Sequence, residues 1–130
     1  DSWENYYSVQ DDQINLLSDI SNNNKRLKII LMHGGSSNLL RYYEKFRFNK
    51  NMYIDLSYTI DKFKKTSILN DIVFLLNNFN KRITMGTDYP DITFQKHYQN
   101  LRYILKKNKI LKSKSKYFLN LNLDKILNET

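Results

Sequence analysis

The chain has 130 residues, of which 41% are hydrophobic and 14% aromatic, so it is long enough for one domain and too apolar to be disordered. It contains no cysteine, which excludes disulfides and thiolate metal sites and leaves histidine and carboxylate side chains as metal ligands. The formal net charge of +8 could indicate an acidic partner or only the lysine codons of an AT-rich genome. No apolar run approaches the ~18 residues of a membrane span, and no leader is visible, so we expect a cytoplasmic protein with no membrane partner.

Hydrophobic periodicity predicts helices that alternate with short strands. Residues 1–10 have no clear period and are interpreted as a loop or an arm. Apolar residues recur at helical spacing in five segments, which are 11–21, 38–48, 67–79, 94–107 and 117–127, with a Lys/Ser-rich link before the last. Short apolar runs predict strands at 27–32, 51–57 and 82–86, and the first is expected to be buried on both faces over most of its length. This alternation is typical of βαβ units and predicts an α/β fold with a parallel sheet.

Side chains that could bind a metal or transfer a proton lie at the end of each predicted strand. His33 follows the first strand, Asp55 and Ser57 close the second, and Asp88 follows the third. In parallel α/β folds ligands bind at the carboxyl ends of the strands, so these side chains are expected to face one shared pocket. An imidazole near carboxylates is the arrangement that a metal site or a general-base site needs.

Each of these residues also has a simpler interpretation. His33 precedes a glycine pair and Asp88 precedes a Tyr-Pro pair, so both could be ordinary turn residues. The favoured interpretation of Asp55 is a hydrogen-bonded carboxylate at a strand end. The second histidine, His97, lies inside a predicted helix and is expected on the surface.

Together the three strand regions are more specific than any of them alone. They read KIILMHGG at 28–35, NMYIDLS at 51–57 and KRITMGTDYP at 81–90. In this combination they resemble three successive strands of the amidohydrolase superfamily, in its amidohydrolase-related branch, which includes aminocarboxymuconate semialdehyde decarboxylase. The resemblance covers residues 11–127, and its most specific part is 86–90. It implies that the three strands are the sixth, seventh and eighth of a (β/α)8 TIM barrel.

The resemblance also implies a metal-dependent activity and roles for four residues. Such proteins are hydrolases or decarboxylases that cleave C–C or C–N bonds of small carboxylate-type substrates with a divalent metal, most often zinc. Asp88 would be a metal ligand that also accepts a proton from water. His33 would be the catalytic histidine that polarises the substrate or binds a second ion. Tyr89 and Gly34 would lie on the substrate-binding side of the pocket.

The sequence departs from this family in its missing ligands. The family's metal site also needs a His-x-His pair from the first strand and usually a histidine from the fifth, whereas this chain has only two histidines. A full barrel takes about 250 residues. The chain is therefore interpreted as a single partial barrel domain over 1–130, with 1–10 as the loop after a missing fifth strand and 108–130 as a closing helical segment. The missing amino-terminal half is the expected partner, a homodimer is the other candidate, and the piece alone is expected to be inactive.

Two other interpretations remain open. Seven cations lie at 102, 106, 107, 109, 112, 114 and 116 with tyrosines among them, which could bind a nucleic-acid backbone by charge and stacking. The simpler view is a solvated helical face, and we expect no nucleic-acid partner. A non-catalytic relative of the barrel enzymes is the other alternative, and it would lack the His-x-His pair.

Overall fold

A computed structural model describes residues 11–128, which form three parallel strands and seven α-helices. The predicted loop at 1–10 lies outside the described residues. The helices are α1 (Asp11–Asn23), α2 (Leu39–Phe46), α3 (Thr59–Phe63), α4 (Ile68–Asn78), α5 (Phe94–Lys107), α6 (Lys112–Lys116) and α7 (Asn122–Asn128). The strands are β1 (Ile29–Leu31), β2 (Met52–Asp55) and β3 (Ile83–Thr84). No helix among the described residues has both the length and the apolar character needed to cross a bilayer.

The sheet has the order β1-β2-β3, and both pairs of neighbours are parallel. Ile30 is in register with Tyr53, and Ile54 is in register with Ile83. The parallel sheet predicted from the alternation of helices and strands is therefore confirmed. Because the strands run the same way, their carboxyl ends lie at one edge, where His33, Ser57 and Asp88 follow.

Side chains of the sheet alternate between two faces with different partners. Met52, Ile54 and Ile83 are fully buried and belong to the main hydrophobic core, which they form with residues of the helices. Tyr53 and Asp55 are also buried but lie outside that core, because alternate residues of a strand point to opposite faces. The helices therefore cover one face of the sheet, and the polar side chains of β2 lie on the other.

β1 differs from its predicted burial. Its three residues are only half-buried, whereas the apolar run predicted burial on both faces. The reason is position in the sheet, since β1 is an edge strand within residues 11–128 and has β2 as its single neighbour. All three strands are also shorter than predicted.

Short helical segments depart further from the sequence prediction. The helix α3 was not predicted, and the Lys/Ser link contains the helix α6. Lysine is a good helix former, and α6 is tied to α4 because Lys114 donates a hydrogen bond to Asn77 at 3.3 Å. A π-helical turn over Tyr117–Leu121 then leads into α7. The predicted helix at 117–127 is thus split in two.

The closing helix is anchored to the amino-terminal end of the sheet. The amide of Asn122 is buried and donates hydrogen bonds of 2.6 Å to the carbonyl oxygens of both Asn80 and Ile83. Lys28, just before β1, donates to the carbonyl oxygen of Lys125 at 2.9 Å. Asn122 therefore joins α7 to β3.

Arg82, which immediately precedes β3, caps the carboxyl-terminal end of α2. Its guanidinium donates to the carbonyl oxygens of Phe46, Arg47 and Asn49, which lie at or just beyond the last turn of α2. A cation there complements the helix dipole and satisfies carbonyl groups that the helix leaves unpaired. Burial lowers the pKa of Arg82, and the neighbouring Tyr53 and Tyr43 oppose that shift.

Candidate functional site

The loop after β1 has an unusual backbone that sets the direction of His33. His33, Gly34 and Gly35 all have left-handed conformations, with φ of 55°, 59° and 71°. Ser36 follows with φ of 60°. A left-handed non-glycine residue costs about 1–2 kcal/mol, so other contacts must hold His33 in place.

Two hydrogen bonds join His33 to the segment that runs from the end of β2 into α3. The hydroxyl of Thr59 donates to the carbonyl oxygen of His33 at 2.7 Å. The Nδ1 atom of His33 lies 3.0 Å from the carbonyl oxygen of Ser57. Because a carbonyl only accepts, Nδ1 is the donor, and the lone pair of a neutral imidazole is left on Nε2. The ring of Tyr58 lies edge-on to the imidazole at 5.9 Å between centroids.

Asp88 reaches the same place from the end of β3. Its Oδ1 atom lies 3.7 Å from Nε2 of His33, and the two side chains are 32% and 40% exposed. Asp88 also has a left-handed backbone, with φ of 59°. The structure thus brings together the two residues that the sequence predicts to be catalytic, and both side chains are partly exposed to solvent.

Asp55 and Ser57 are both buried, and both carboxylate oxygens of Asp55 accept hydrogen bonds within the fold. The Oδ1 atom of Asp55 accepts from the backbone N–H of Ser57 at 2.9 Å, and Oδ2 accepts from the hydroxyl of Thr84 at 2.9 Å. Asp55 is only 5% exposed. The favoured interpretation of Asp55 as a hydrogen-bonded strand-end carboxylate is confirmed, and its role is to join β2 to β3 beneath the site.

Gly34 and Tyr89 occupy different surroundings beside the pair. Tyr89 is 80% exposed next to Asp88. Gly34 is buried, and a Cβ atom added there would lie 2.4 Å from a methyl group of Leu39 and 3.1 Å from one of Leu56. The glycine at 34 is therefore explained by packing and by its left-handed backbone. Its substrate-binding role stays a prediction, as does that of Tyr89.

Replacing Gly34 with alanine is expected to destabilise the protein by about 1–3 kcal/mol, because the new methyl group would need both a strained backbone and displacement of Leu39. The midpoint of urea unfolding measures this effect. Ser37→Ala, at an exposed position of the same loop, is the control and should change stability by less than about 0.5 kcal/mol. Equal midpoints for both variants would show that Gly34 is not required by packing.

The prediction that His97 lies on the surface is wrong. His97 is 5% exposed, and its Nδ1 atom lies 2.7 Å from Oδ2 of Asp61. The amide of Asn100 donates to Oδ1 of the same carboxylate. Sequence reasoning also missed Asp61, which lies on the unpredicted helix α3. A signal was present, because His97 shares one helical face with the apolar Leu101 and Ile104.

The pair of His33 and Asp88 fits part of a metal site. An imidazole nitrogen and a carboxylate oxygen are both ligands that zinc takes, and zinc centres use at least three protein ligands. No group of three or more histidine and acidic side chains that could hold a metal occurs within residues 11–128. The described residues therefore supply two donors and do not make a complete metal centre.

The cations between 102 and 116 are distributed over α5, α6 and the turn that joins them. Most of them are exposed, as are Tyr98 and Tyr103. The Nζ atom of Lys107 lies 5.6 Å from the ring centroid of Tyr103. The Nζ atom of Lys116 lies 5.5 Å from the ring centroid of Tyr117. These contacts are the solvated arrangement that lysines and tyrosines adopt on a helical surface.

Comparison with known proteins supports the fold alone. The chain matches no protein-family model and no curated protein. Among solved structures it is similar to an uncharacterised TIM-barrel protein from Bordetella bronchiseptica, with a TM-score of 0.69 and 16% sequence identity. The match covers 92% of this chain and 41% of that protein. The chain therefore has an α/β fold, with a small parallel sheet, that corresponds to part of a TIM barrel.

Proposed function

We propose that the chain is the carboxyl-terminal part of a metal-dependent hydrolase or decarboxylase of the amidohydrolase superfamily. In this proposal β1, β2 and β3 are the sixth, seventh and eighth strands of the barrel. The observation that carries it is the 3.7 Å approach of His33 Nε2 to Asp88 Oδ1, from the ends of two strands that are not neighbours in the sheet. Residue types, strand order and position at the carboxyl end all agree with the resemblance found in the sequence.

His33 and Asp88 would hold a divalent metal, most often zinc in this family, together with ligands from the amino-terminal half of the barrel. The metal would supply a Lewis acid that lowers the pKa of water and polarises the substrate. Asp88 would accept the proton, since its carboxylate is partly exposed beside His33. The hydrogen bond from His33 Nδ1 to Ser57 would orient Nε2 toward the reacting group, as second partners of metal-site histidines do.

The proposal assigns the site to a small-molecule substrate of the carboxylate type, whose C–C or C–N bond is cleaved. Tyr89, exposed directly after Asp88, would form part of the pocket rim, and Gly34 would support the loop of His33. The missing strands would pair with β1 and β3, because unpaired strand edges are otherwise prone to pair with other chains.

The coding sequence upstream of Asp1 tests this proposal at low cost. We expect it to encode further βα units, beginning with a strand that carries a His-x-His pair, because the barrel's metal site needs those ligands. An upstream barrel without that pair would instead support a non-catalytic relative. The absence of any upstream barrel sequence would overturn the proposal.

A further inference from the structure

A buried polar cluster joins α3 to α5, and the proposed function gives it no role. The Nδ1 atom of His97 lies 2.7 Å from Oδ2 of Asp61, and because a carboxylate accepts, Nδ1 is the donor. The amide of Asn100 donates to Oδ1 of the same carboxylate. The two donors are three positions apart on one face of α5 and hold different oxygens. They therefore fix both the distance and the rotation of α3 relative to α5.

The contacts that fix His33 come from the segment that ends in Asp61. The carbonyl oxygen of Ser57 accepts from Nδ1 of His33, and the hydroxyl of Thr59 donates to the carbonyl oxygen of His33. The backbone N–H of Thr59 also donates to the carbonyl oxygen of Ser57, at 2.6 Å. The ring of Tyr58 lies edge-on to the imidazole. All these groups lie within four positions of Asp61, so a shift of α3 would move the acceptor of His33.

The segment needs outside contacts to keep this geometry. The helix α3 has only five residues, which is too short for a helix to be stable alone. Tyr58, directly before it, has φ of 62°, a left-handed conformation that is strained in a non-glycine residue. Ile60 packs into the main core, but apolar packing has no preferred direction. The direction of the segment therefore depends on the hydrogen bonds of Asp61.

We propose that Asp61 and His97 are positioning residues for His33, because they orient the carbonyl oxygen of Ser57 that places the imidazole proton on Nδ1. Their effect passes through the backbone of residues 57–61. The proton on Nδ1 leaves the lone pair of Nε2 on the side of Asp88, 3.7 Å from its Oδ1 atom. This role rests on the proposed function only in that Nε2 is the atom that would act there. The orientation of the imidazole itself needs neither a metal nor a substrate.

Nitrogen-15 NMR of the full chain tests this role, because a protonated and a bare imidazole nitrogen have different shifts. The chain has two histidines, so a variant without His97 shows the imidazole of His33 alone. Spectra are recorded at about pH 8.5, where a free imidazole is neutral. We expect the wild type to carry the proton on Nδ1 of His33. The double variant Asp61→Leu/His97→Leu should lose this preference, so that both His33 shifts move toward the average of the two tautomers.

Two variants separate positioning from a merely structural role. His97→Asn should keep the proton on Nδ1 of His33, because its amide can donate to Asp61 from nearly the same place. Leu101→Ala is the matched control, since Leu101 is buried in the main core on the same helix and its truncation also costs stability. It should leave the His33 shifts unchanged. An equal loss of preference in a folded Leu101→Ala chain would mean that general loosening moves His33 and would overturn the positioning role.

The positioning role would also be overturned by a double leucine variant that is folded by circular dichroism and keeps the proton on Nδ1 of His33. If that variant does not fold, Asn100→Ala decides, because it keeps the buried pair and removes one donor to the carboxylate. It should show a partial loss of the preference, and unchanged His33 shifts would overturn the role. Each of these outcomes is read without metal or turnover, so the proposed function can fail while the positioning role holds.

Discussion

Replacing His97 with alanine is expected to lower the free energy of unfolding by about 3–5 kcal/mol, because it leaves the buried carboxylate of Asp61 without the imidazole that hydrogen-bonds it. The side chains of His97 and Asp61 are 6% and 4% exposed, so the carboxylate depends on contacts within the protein and not on bulk water. Asn100 would remain as a donor to that carboxylate. Since small domains have about 5–15 kcal/mol of stability in total, the variant should unfold at a much lower urea concentration.

Two further variants separate charge burial from loss of packing. Gln99→Ala, at an exposed position of the same helix, should change stability by less than about 0.5 kcal/mol. The double variant Asp61→Leu/His97→Leu should lose less stability than His97→Ala, because apolar residues of similar size remove the buried charge as well. If His97→Ala were as stable as Gln99→Ala, the buried pair would not be a support of the fold.

If the proposed function holds, replacing Asp88 with asparagine in the complete barrel protein is expected to lower turnover by about 10²–10⁴-fold, because the substitution would remove the group proposed to accept a proton. Asparagine tolerates a left-handed backbone as aspartate does, so the φ of 59° at this position is kept. His33→Asn preserves its own left-handed backbone in the same way and should also lower turnover strongly. Steady-state kinetics with a small carboxylate-type substrate measures both effects.

The control for these variants is Asp91→Asn, an exposed acid three positions further along the same loop. It changes the charge of the chain as Asp88→Asn does and should leave turnover unchanged. A rate for Asp88→Asn equal to that of Asp91→Asn would remove Asp88 from the site. An unaffected rate for His33→Asn would do the same for His33.

The sequence predicts the fold well where periodicity is long and turns are marked. The helices α4 and α5 each keep an apolar face for at least ten residues, and the strands are bounded by glycine and polar turns. The helices α3 and α6 have five residues each, which is too short for a 3.6-residue period to be recognised. Their positions depend on tertiary contacts, such as that of Lys114 with Asn77.

Part of the candidate site could likewise be predicted from the sequence, and part of it depends on tertiary contacts. His33 and Asp88 could be selected because the carboxyl ends of parallel strands meet, a rule that needs only the order of the elements. Asp61 could not be predicted as the partner of His97, because it lies 36 positions away on a helix that the sequence does not reveal. The packing role of Gly34 depends on where Leu39 lies in three dimensions.

The amount of divalent metal bound to the completed protein tests the proposed function most directly. Elemental analysis of the wild type, Asp88→Asn and Asp91→Asn would give metal per chain after removal of free ions. We expect equal metal in the wild type and Asp91→Asn and less in Asp88→Asn, because Asp88 is the one of these two acids that lies beside His33 and is proposed as a ligand. Equal metal in all three proteins, or none in any of them, would contradict it.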